Sequence, residues 1–119
     1  MEAIIRRALT LAAVLAGLAG PALAHAFLEK ASPAAGANLR APARIELHFS
    51  EALEPAFSGI TVTDMAGKEW SAGPATVANG TELDLPLKPL PPGRYRVTWH
   101  AVSVDTHRTQ GKYNFLVLP

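Results

Sequence analysis

Strict alternation of apolar and polar residues dominates the chain from residue 42 onward. In "ARIELHFS" (43–50), Ile45, Leu47 and Phe49 alternate with polar residues. The same period of two recurs in "GITVTD", "TELDLP", "GRYRVTWHA" and "KYNFLVL". Successive side chains of a strand point to opposite faces, so this period predicts half-buried β-strands. No window after residue 24 has a helical period, and the domain is therefore predicted to be all-β.

Turn signals separate these strands and limit how they are connected. They are Ser32-Pro33, Ala66-Gly67, Asn79-Gly80 and the stretch from Pro89 to Gly93. Asn79-Gly80 favours the positive φ angles of a two-residue hairpin turn. About seven short strands with frequent turns are typical of a Greek-key sandwich or a small barrel.

The first 24 residues differ in composition from the rest. Arg6-Arg7 precedes an apolar run over 8–20, and Ala22-Leu23-Ala24 follows. A basic start, a short apolar core and an A-x-A end are typical of a secretory signal. The run is shorter than the about 20 residues of a membrane span, although an uncleaved anchor is the alternative. We predict a signal peptide over 1–24, cleaved after Ala24, and one β domain over 25–119.

Charge and cysteine content exclude several classes of function. Cleavage would remove Arg6, Arg7 and Glu2, which takes 11 Lys plus Arg and 10 Asp plus Glu to nine of each. A formally neutral domain gives no reason to expect nucleic acid or an anionic membrane surface as a partner. The chain has no cysteine, so disulfides, thiolate metal sites and cysteine nucleophiles are excluded.

Three residues could form a metal site. Cleavage would give His25 a free α-amine, and this nitrogen and the ring Nδ1 could chelate one ion. Asp105 and His107 lie in "SVDTHRTQG" (103–111), which we interpret as a loop rather than a hairpin turn. In extended backbone, side chains two residues apart point the same way and can converge. The resulting three nitrogens and one oxygen suit Cu(II) in a tetragonal plane.

Other interpretations of these residues remain open. Asp105 could instead have a purely structural role, in which its side chain caps the loop through the backbone. A histidine directly after a cleavage site can also arise by chance. His48 and His100 are polar in the strand alternation and are predicted to be solvated. The larger aromatic residues are assigned to the core: Phe27, Phe49, Trp70, Tyr95 and Trp99.

Residues 25–119 resemble the CopC-type periplasmic copper-binding proteins over nearly their whole length. The similar segments are "HAFLEKASPAAGA", "LHFSEALEP", "GRYRVTWHAVSVDTH" and "GKYNFLV". The resemblance implies a seven-stranded Greek-key β-barrel or immunoglobulin-like sandwich. It also implies a periplasmic protein that binds one Cu(II) per chain through His25 (amine and ring), Asp105 and His107. The implied partner is a CopD-type inner-membrane copper protein.

Some members of this family also hold Cu(I) with a methionine-rich loop. Met65 is the sole methionine after residue 24, so a methionine cluster is excluded. Thr106, between Asp105 and His107, should restrict the backbone of that loop. We expect a monomeric copper carrier and no enzyme activity. The alternatives are a copper-dependent monooxygenase with a histidine brace and an interaction module that binds no metal.

Overall fold

The computed structural model describes residues 26–119, and the predicted signal peptide and His25 lie outside the described residues. Over this range the chain forms a short 3₁₀ helix, Pro55–Phe57, and eight strands. The strands are β1 (Leu28–Ser32), β2 (Asn38–Leu39), β3 (Arg44–Phe49), β4 (Gly59–Asp64), β5 (Thr76–Ala78), β6 (Glu82–Pro86), β7 (Gly93–Val102) and β8 (Arg108–Val117). Within 26–119, no helix has the length and apolar character needed to cross a bilayer.

The strands form two four-stranded sheets packed as a sandwich. The first sheet has the order β1-β3-β6-β5 and the second has the order β2-β8-β7-β4. All neighbours are antiparallel except β2, which runs parallel to β8. The all-β prediction is confirmed in its sandwich form. The described part of the chain has one strand more than the seven expected, and the shortest of the eight, β2, has only two residues.

The core lies between the sheets, where the alternation in the sequence predicts it. Ile45 and Leu47 of β3 are fully buried. Phe49 of the first sheet contacts Trp99 of the second edge to face, with ring centroids 5.2 Å apart. Each such side chain contributes about 1.5–3 kcal/mol when fully buried. These contacts between strands of opposite sheets hold the sandwich together.

Phe27 was assigned to the core, and this assignment is wrong. Its side chain is 55% exposed, whereas the preceding Ala26 is fully buried. The backbone nitrogen and oxygen of Phe27 pair with Ser50, at 2.8 Å to the hydroxyl and 2.9 Å to the amide. Because neighbouring side chains of extended backbone point to opposite faces, burial of Ala26 turns Phe27 outward.

The hairpin between β5 and β6 has the expected turn residues but a longer loop. Asn79 and Gly80 have φ angles of 53° and 78°. However, Ala78 pairs with Glu82, so three residues lie between the strands rather than two. The third, Thr81, accepts a hydrogen bond of 2.9 Å from the amide of Phe49. This contact with the end of β3 keeps Thr81 out of the β5–β6 ladder.

The hairpin of β7 and β8 positions the candidate site. Its strands pair without interruption from Gly93 opposite Val117 to Val102 opposite Arg108. Residues 103–107 are therefore a hairpin connection, and the predicted loop over 103–111 is too long. Residues 108–111 are strand, which the sequence reasoning missed because "RTQG" has no apolar alternation.

Candidate metal centre

The connection from residue 103 to residue 107 closes on itself through its backbone. The amide of Ser103 donates to the carbonyl of His107 at 2.9 Å, and the amide of Thr106 donates to the carbonyl of Ser103 at 2.8 Å. Thr106 has a φ of 74°, a left-handed conformation that is uncommon for a β-branched residue. The restriction expected at Thr106 thus takes the form of a tight turn with one strained residue.

This turn brings Asp105 and His107 together. Asp105 Oδ2 lies 3.3 Å from His107 Nδ1, and their side chains are 42% and 48% exposed. The two side chains converge as the sequence predicted, although the extended backbone assumed for them is replaced by a turn. A carboxylate and an imidazole are thus presented to solvent at one point, within reach of an ion.

The buried Ser103 holds the carboxylate of Asp105 in place through a hydrogen bond. Its side chain is only 1% exposed, and its hydroxyl donates to Asp105 Oδ1. This hydrogen bond, followed by the contact with His107, holds the pKa of Asp105 below its ordinary value. Asp105 is thereby kept in the ionised form that binds metal.

The sequence reasoning missed Ser103, although a signal was present. Ser103 follows Trp99 and Ala101 at intervals of two, so it occupies a position of the alternation where a buried apolar residue is expected. A hydroxyl at such a position needs a hydrogen-bond partner, because an unpaired buried polar group is costly. That partner is the carboxylate of the candidate site.

The segment next to His25 is held against the same hairpin. Ala26 is fully buried, and its carbonyl accepts a hydrogen bond of 2.8 Å from Thr109 Oγ1. Thr109 lies on β8, two residues beyond His107. The next residue, Phe27, is held by its backbone hydrogen bonds with Ser50, which directly follows β3 of the first sheet. His25 itself is outside the described residues, but its neighbour in the chain is anchored beside the loop.

The donor set fits a divalent ion of borderline character. Bonds of about 2.0–2.2 Å from a metal to nitrogen or oxygen place neighbouring ligand atoms about 2.8–3.6 Å apart. The 3.3 Å between Asp105 Oδ2 and His107 Nδ1 falls in this range. Imidazole and carboxylate donors suit Cu(II) among the first-row divalent ions. Two protein ligands are few for such an ion, so a further donor is needed.

The other two described histidines are not part of this arrangement. His100 lies on the outer face of the second sheet, where burial first and the charge of Arg108 second lower its pKa. His48 lies on the first sheet, with Nε2 at 3.1 Å from Glu82 Oε1. Both residues lie on the outer, polar faces of their strands, as predicted, and each is partly buried. The cause is packing against neighbouring strands, which alternation along one strand does not show.

The chain matches proteins of one family in sequence and in structure. The CopC domain model matches residues 28–118. Copper resistance protein C of Escherichia coli is 40% identical over 96% of this chain and 98% of its own length. Copper resistance protein C of Pseudomonas syringae pv. tomato is 45% identical over 81% of this chain and 82% of its own length.

Solved structures agree with this match. CopC from Methylosinus trichosporium OB3b superposes with a TM-score of 0.74 at 37% identity, over 80% of this chain and 95% of that one. PcoC of Escherichia coli, a methionine-rich copper resistance protein, superposes with a TM-score of 0.70 at 39% identity, over 80% of this chain and all of that one. From its sequence, its two-sheet fold and these matches, the chain belongs to the CopC domain family.

Proposed function

We propose that this protein binds one Cu(II) ion per chain and sequesters and carries copper. The ligands would be the α-amine and ring of His25, the carboxylate of Asp105 and the imidazole of His107. Relatives that match nearly the full chain are copper resistance proteins, which supports copper as the cargo. The meeting of Asp105 and His107 at 3.3 Å supports these two residues as part of the ligand set.

The observation that carries the proposal is the hydrogen bond between Thr109 Oγ1 and the carbonyl of Ala26. Consecutive Cα atoms are about 3.8 Å apart, so residue 25 cannot be far from an anchored Ala26. That anchor lies on the strand that begins directly after His107. The amine and ring of His25 would thus reach the donor atoms of Asp105 and His107 without rearrangement of the sandwich.

The divalent state is favoured by the chemistry of the donors. Nitrogen and carboxylate oxygen prefer Cu(II), whereas thioethers and thiolates prefer Cu(I). The chain has no cysteine and two methionines, one of which is Met1. Met65 is 57% exposed in the turn after β4, away from the β7–β8 connection. A Cu(I) site built from clustered methionines would therefore lack its ligands in this chain.

Export completes the proposal, because the amine of His25 becomes a ligand only after cleavage behind Ala24. A secretory signal over residues 1–24 would deliver the domain to the periplasm. There it would act as a monomeric carrier with no catalytic step, and it could pass copper to a CopD-type inner-membrane protein. The absence of cysteine suits an oxidising compartment, where a free thiol would be reactive.

Titration of the exported protein with Cu(II) tests the proposal. We expect one tight equivalent and an axial electron paramagnetic resonance spectrum with nitrogen splittings. Asp105→Ala and His107→Ala should each weaken this binding by about 100-fold or more, because loss of a ligand exceeds the 10–100-fold effect of an outer partner. His100→Ala is the matched control and should bind as the native chain does. Native affinity in both loop variants would overturn the proposal.

A further inference from the structure

A second group of metal-ligating side chains lies on the outer face of the first sheet. It consists of Glu46 and His48 on β3 and Glu82 on β6, and one ligand atom from each lies within 4.8 Å of the other two. His48 Nε2 is 3.1 Å from Glu82 Oε1 and 4.0 Å from Glu46 Oε2. No other group of this kind occurs within residues 26–119. We call these three residues the sheet cluster.

Strand pairing produces the sheet cluster. Glu46 and His48 are two residues apart on one strand, so they share a face. The antiparallel register places Glu82 directly opposite His48 and Asp84 directly opposite Glu46. The sequence separates these pairs by more than thirty residues, which is why the alternation alone did not indicate a site.

The spacing of the three donors matches that of metal ligands. A tetrahedral ion with bonds of about 2.1 Å holds its ligand atoms about 3.4 Å apart. The measured separations of 3.1 and 4.0 Å bracket this value, and small rotations of the glutamate side chains would equalise them. One imidazole and two carboxylates leave a fourth position for water, the pattern of an open three-ligand site. The side chains are partly buried, with exposed fractions of 24% for Glu46, 37% for His48 and 18% for Glu82.

An independent observation is that negative charge next to the sheet cluster is incompletely matched. Asp84 Oδ1 is buried and has no hydrogen-bond partner among the described residues. Arg44 pairs with Glu46, and Lys30 faces His48 from β1, so three carboxylates lie beside two cationic side chains. A bound cation would supply the missing charge.

We propose that Glu46, His48 and Glu82 form a second metal site, separate from the β7–β8 loop, for a borderline divalent cation such as Zn²⁺ or Cu²⁺. His48 supplies the nitrogen donor, and Glu46 and Glu82 each supply one oxygen. Asp84 lies beside the ligands and lowers the electrostatic cost of holding the ion. This site joins β3 to β6 in the first sheet, whereas the loop site belongs to the second. It therefore does not depend on the function proposed above.

Calorimetric titration with Zn²⁺ alone, and separately with Cu²⁺, tests this site in the full exported chain. His48→Ala and Glu82→Gln should each weaken one binding event by about tenfold or more. The matched controls are His100→Ala, a half-buried histidine of the other sheet, and Asp105→Ala, which alters only the loop. Both controls should retain the event. The metal that gives it identifies the cation preferred by the sheet cluster.

Fold integrity is checked by the thermal midpoint of each metal-free variant, and Glu82→Gln preserves the shape of the side chain. Zn²⁺ should also raise the midpoint of the native chain more than that of either sheet-cluster variant, because an ion that binds only the folded state stabilises it. The proposal is overturned if His48→Ala and Glu82→Gln bind both ions as the native chain does. It is equally overturned if the event disappears in Asp105→Ala and persists in His48→Ala.

Discussion

Thr109 Oγ1 donates a hydrogen bond of 2.8 Å to the carbonyl oxygen of Ala26, a residue 83 positions earlier in the chain. The acceptor belongs to a fully buried residue, so no water is available to replace the donor. This single contact ties the start of the β domain to the strand that follows the Asp105–His107 turn. The predictions for copper binding depend on how firmly that tie holds.

Replacing Thr109 with valine keeps the shape of the side chain and removes the donor. We expect Thr109→Val to lower the free energy of unfolding by about 1–3 kcal/mol, because the Ala26 carbonyl is left buried and unpaired. Cu(II) affinity should fall by about tenfold, since the residue next to His25 is less well positioned. Urea denaturation and a Cu(II) competition titration measure the two effects. Thr98→Val, at an exposed threonine on β7, is the control and should change neither.

Adding one residue before His25 tests its amine directly. An alanine inserted between the cleavage point and His25 turns the amine into an amide nitrogen, a poor ligand near neutral pH, and leaves the imidazole intact. Cu(II) affinity should fall at least as far as in Asp105→Ala. The thermal midpoint of the metal-free protein should not move, because chain ends tolerate extension. Native affinity in the extended protein would show that His25 does not supply its amine.

Removal of the Ser103 hydroxyl should make copper binding more sensitive to acid. The hydrogen bond from Ser103 is the main cause of the lowered pKa of Asp105. In Ser103→Ala this pKa rises, so protons compete with Cu(II) at a higher pH and the midpoint of copper release moves upward. Affinity at neutral pH should fall by about 10–100-fold.

A pH titration of copper-loaded protein measures this shift. Ser58→Ala is the matched control, because the Ser58 hydroxyl accepts from the Val102 amide at 3.0 Å and, within residues 26–119, has no hydrogen bond to a carboxylate. A release midpoint that is the same in Ser103→Ala and in the native protein would show that the hydroxyl does not tune Asp105.

Gly111 is required by the packing of Trp99 rather than by its φ angle. A Cβ at Gly111 would lie 2.7 Å from the Trp99 indole, which is 8% exposed and cannot move aside. We expect Gly111→Ala to lower the free energy of unfolding by about 1–3 kcal/mol through overpacking. At Gly59 a Cβ would meet the His100 ring at 2.8 Å, but that ring lies at the surface and can rotate away. Gly59→Ala should therefore cost about 0.5 kcal/mol or less, as judged by urea denaturation.

The strands could be predicted because their alternation is local. Leu83 and Leu85, with Glu82 and Asp84 between them, indicate one buried and one open face whatever they pair with. The ends of elements were less predictable. Residues 108–111 were assigned to a loop because their strand character comes from pairing with β7, and Thr81 was placed in a strand that its contact with Phe49 prevents.

The site was only partly accessible to the same reasoning. Asp105 and His107 were found because they are close in sequence, and the turn that joins them was not. Ser103 gave a signal, a polar residue in an apolar phase, that was not used. The sheet cluster gave none, because the proximity of His48 and Glu82 depends on the register of β3 against β6.

The sequence by itself determined which side chains can be buried, which donor atoms exist and which chemistries are excluded. These follow from residue type and period, which are properties of the chain at short range. Tertiary structure alone decided which groups from distant parts of the chain meet. His48 reaches Glu82 only because β3 and β6, which are distant in sequence, pair in one register. Thr109 reaches Ala26 only because the segment before β1 packs against β8 of the other sheet. A shift of the β3–β6 register by one residue would turn every side chain of the shifted strand to the opposite face and separate His48 from Glu82.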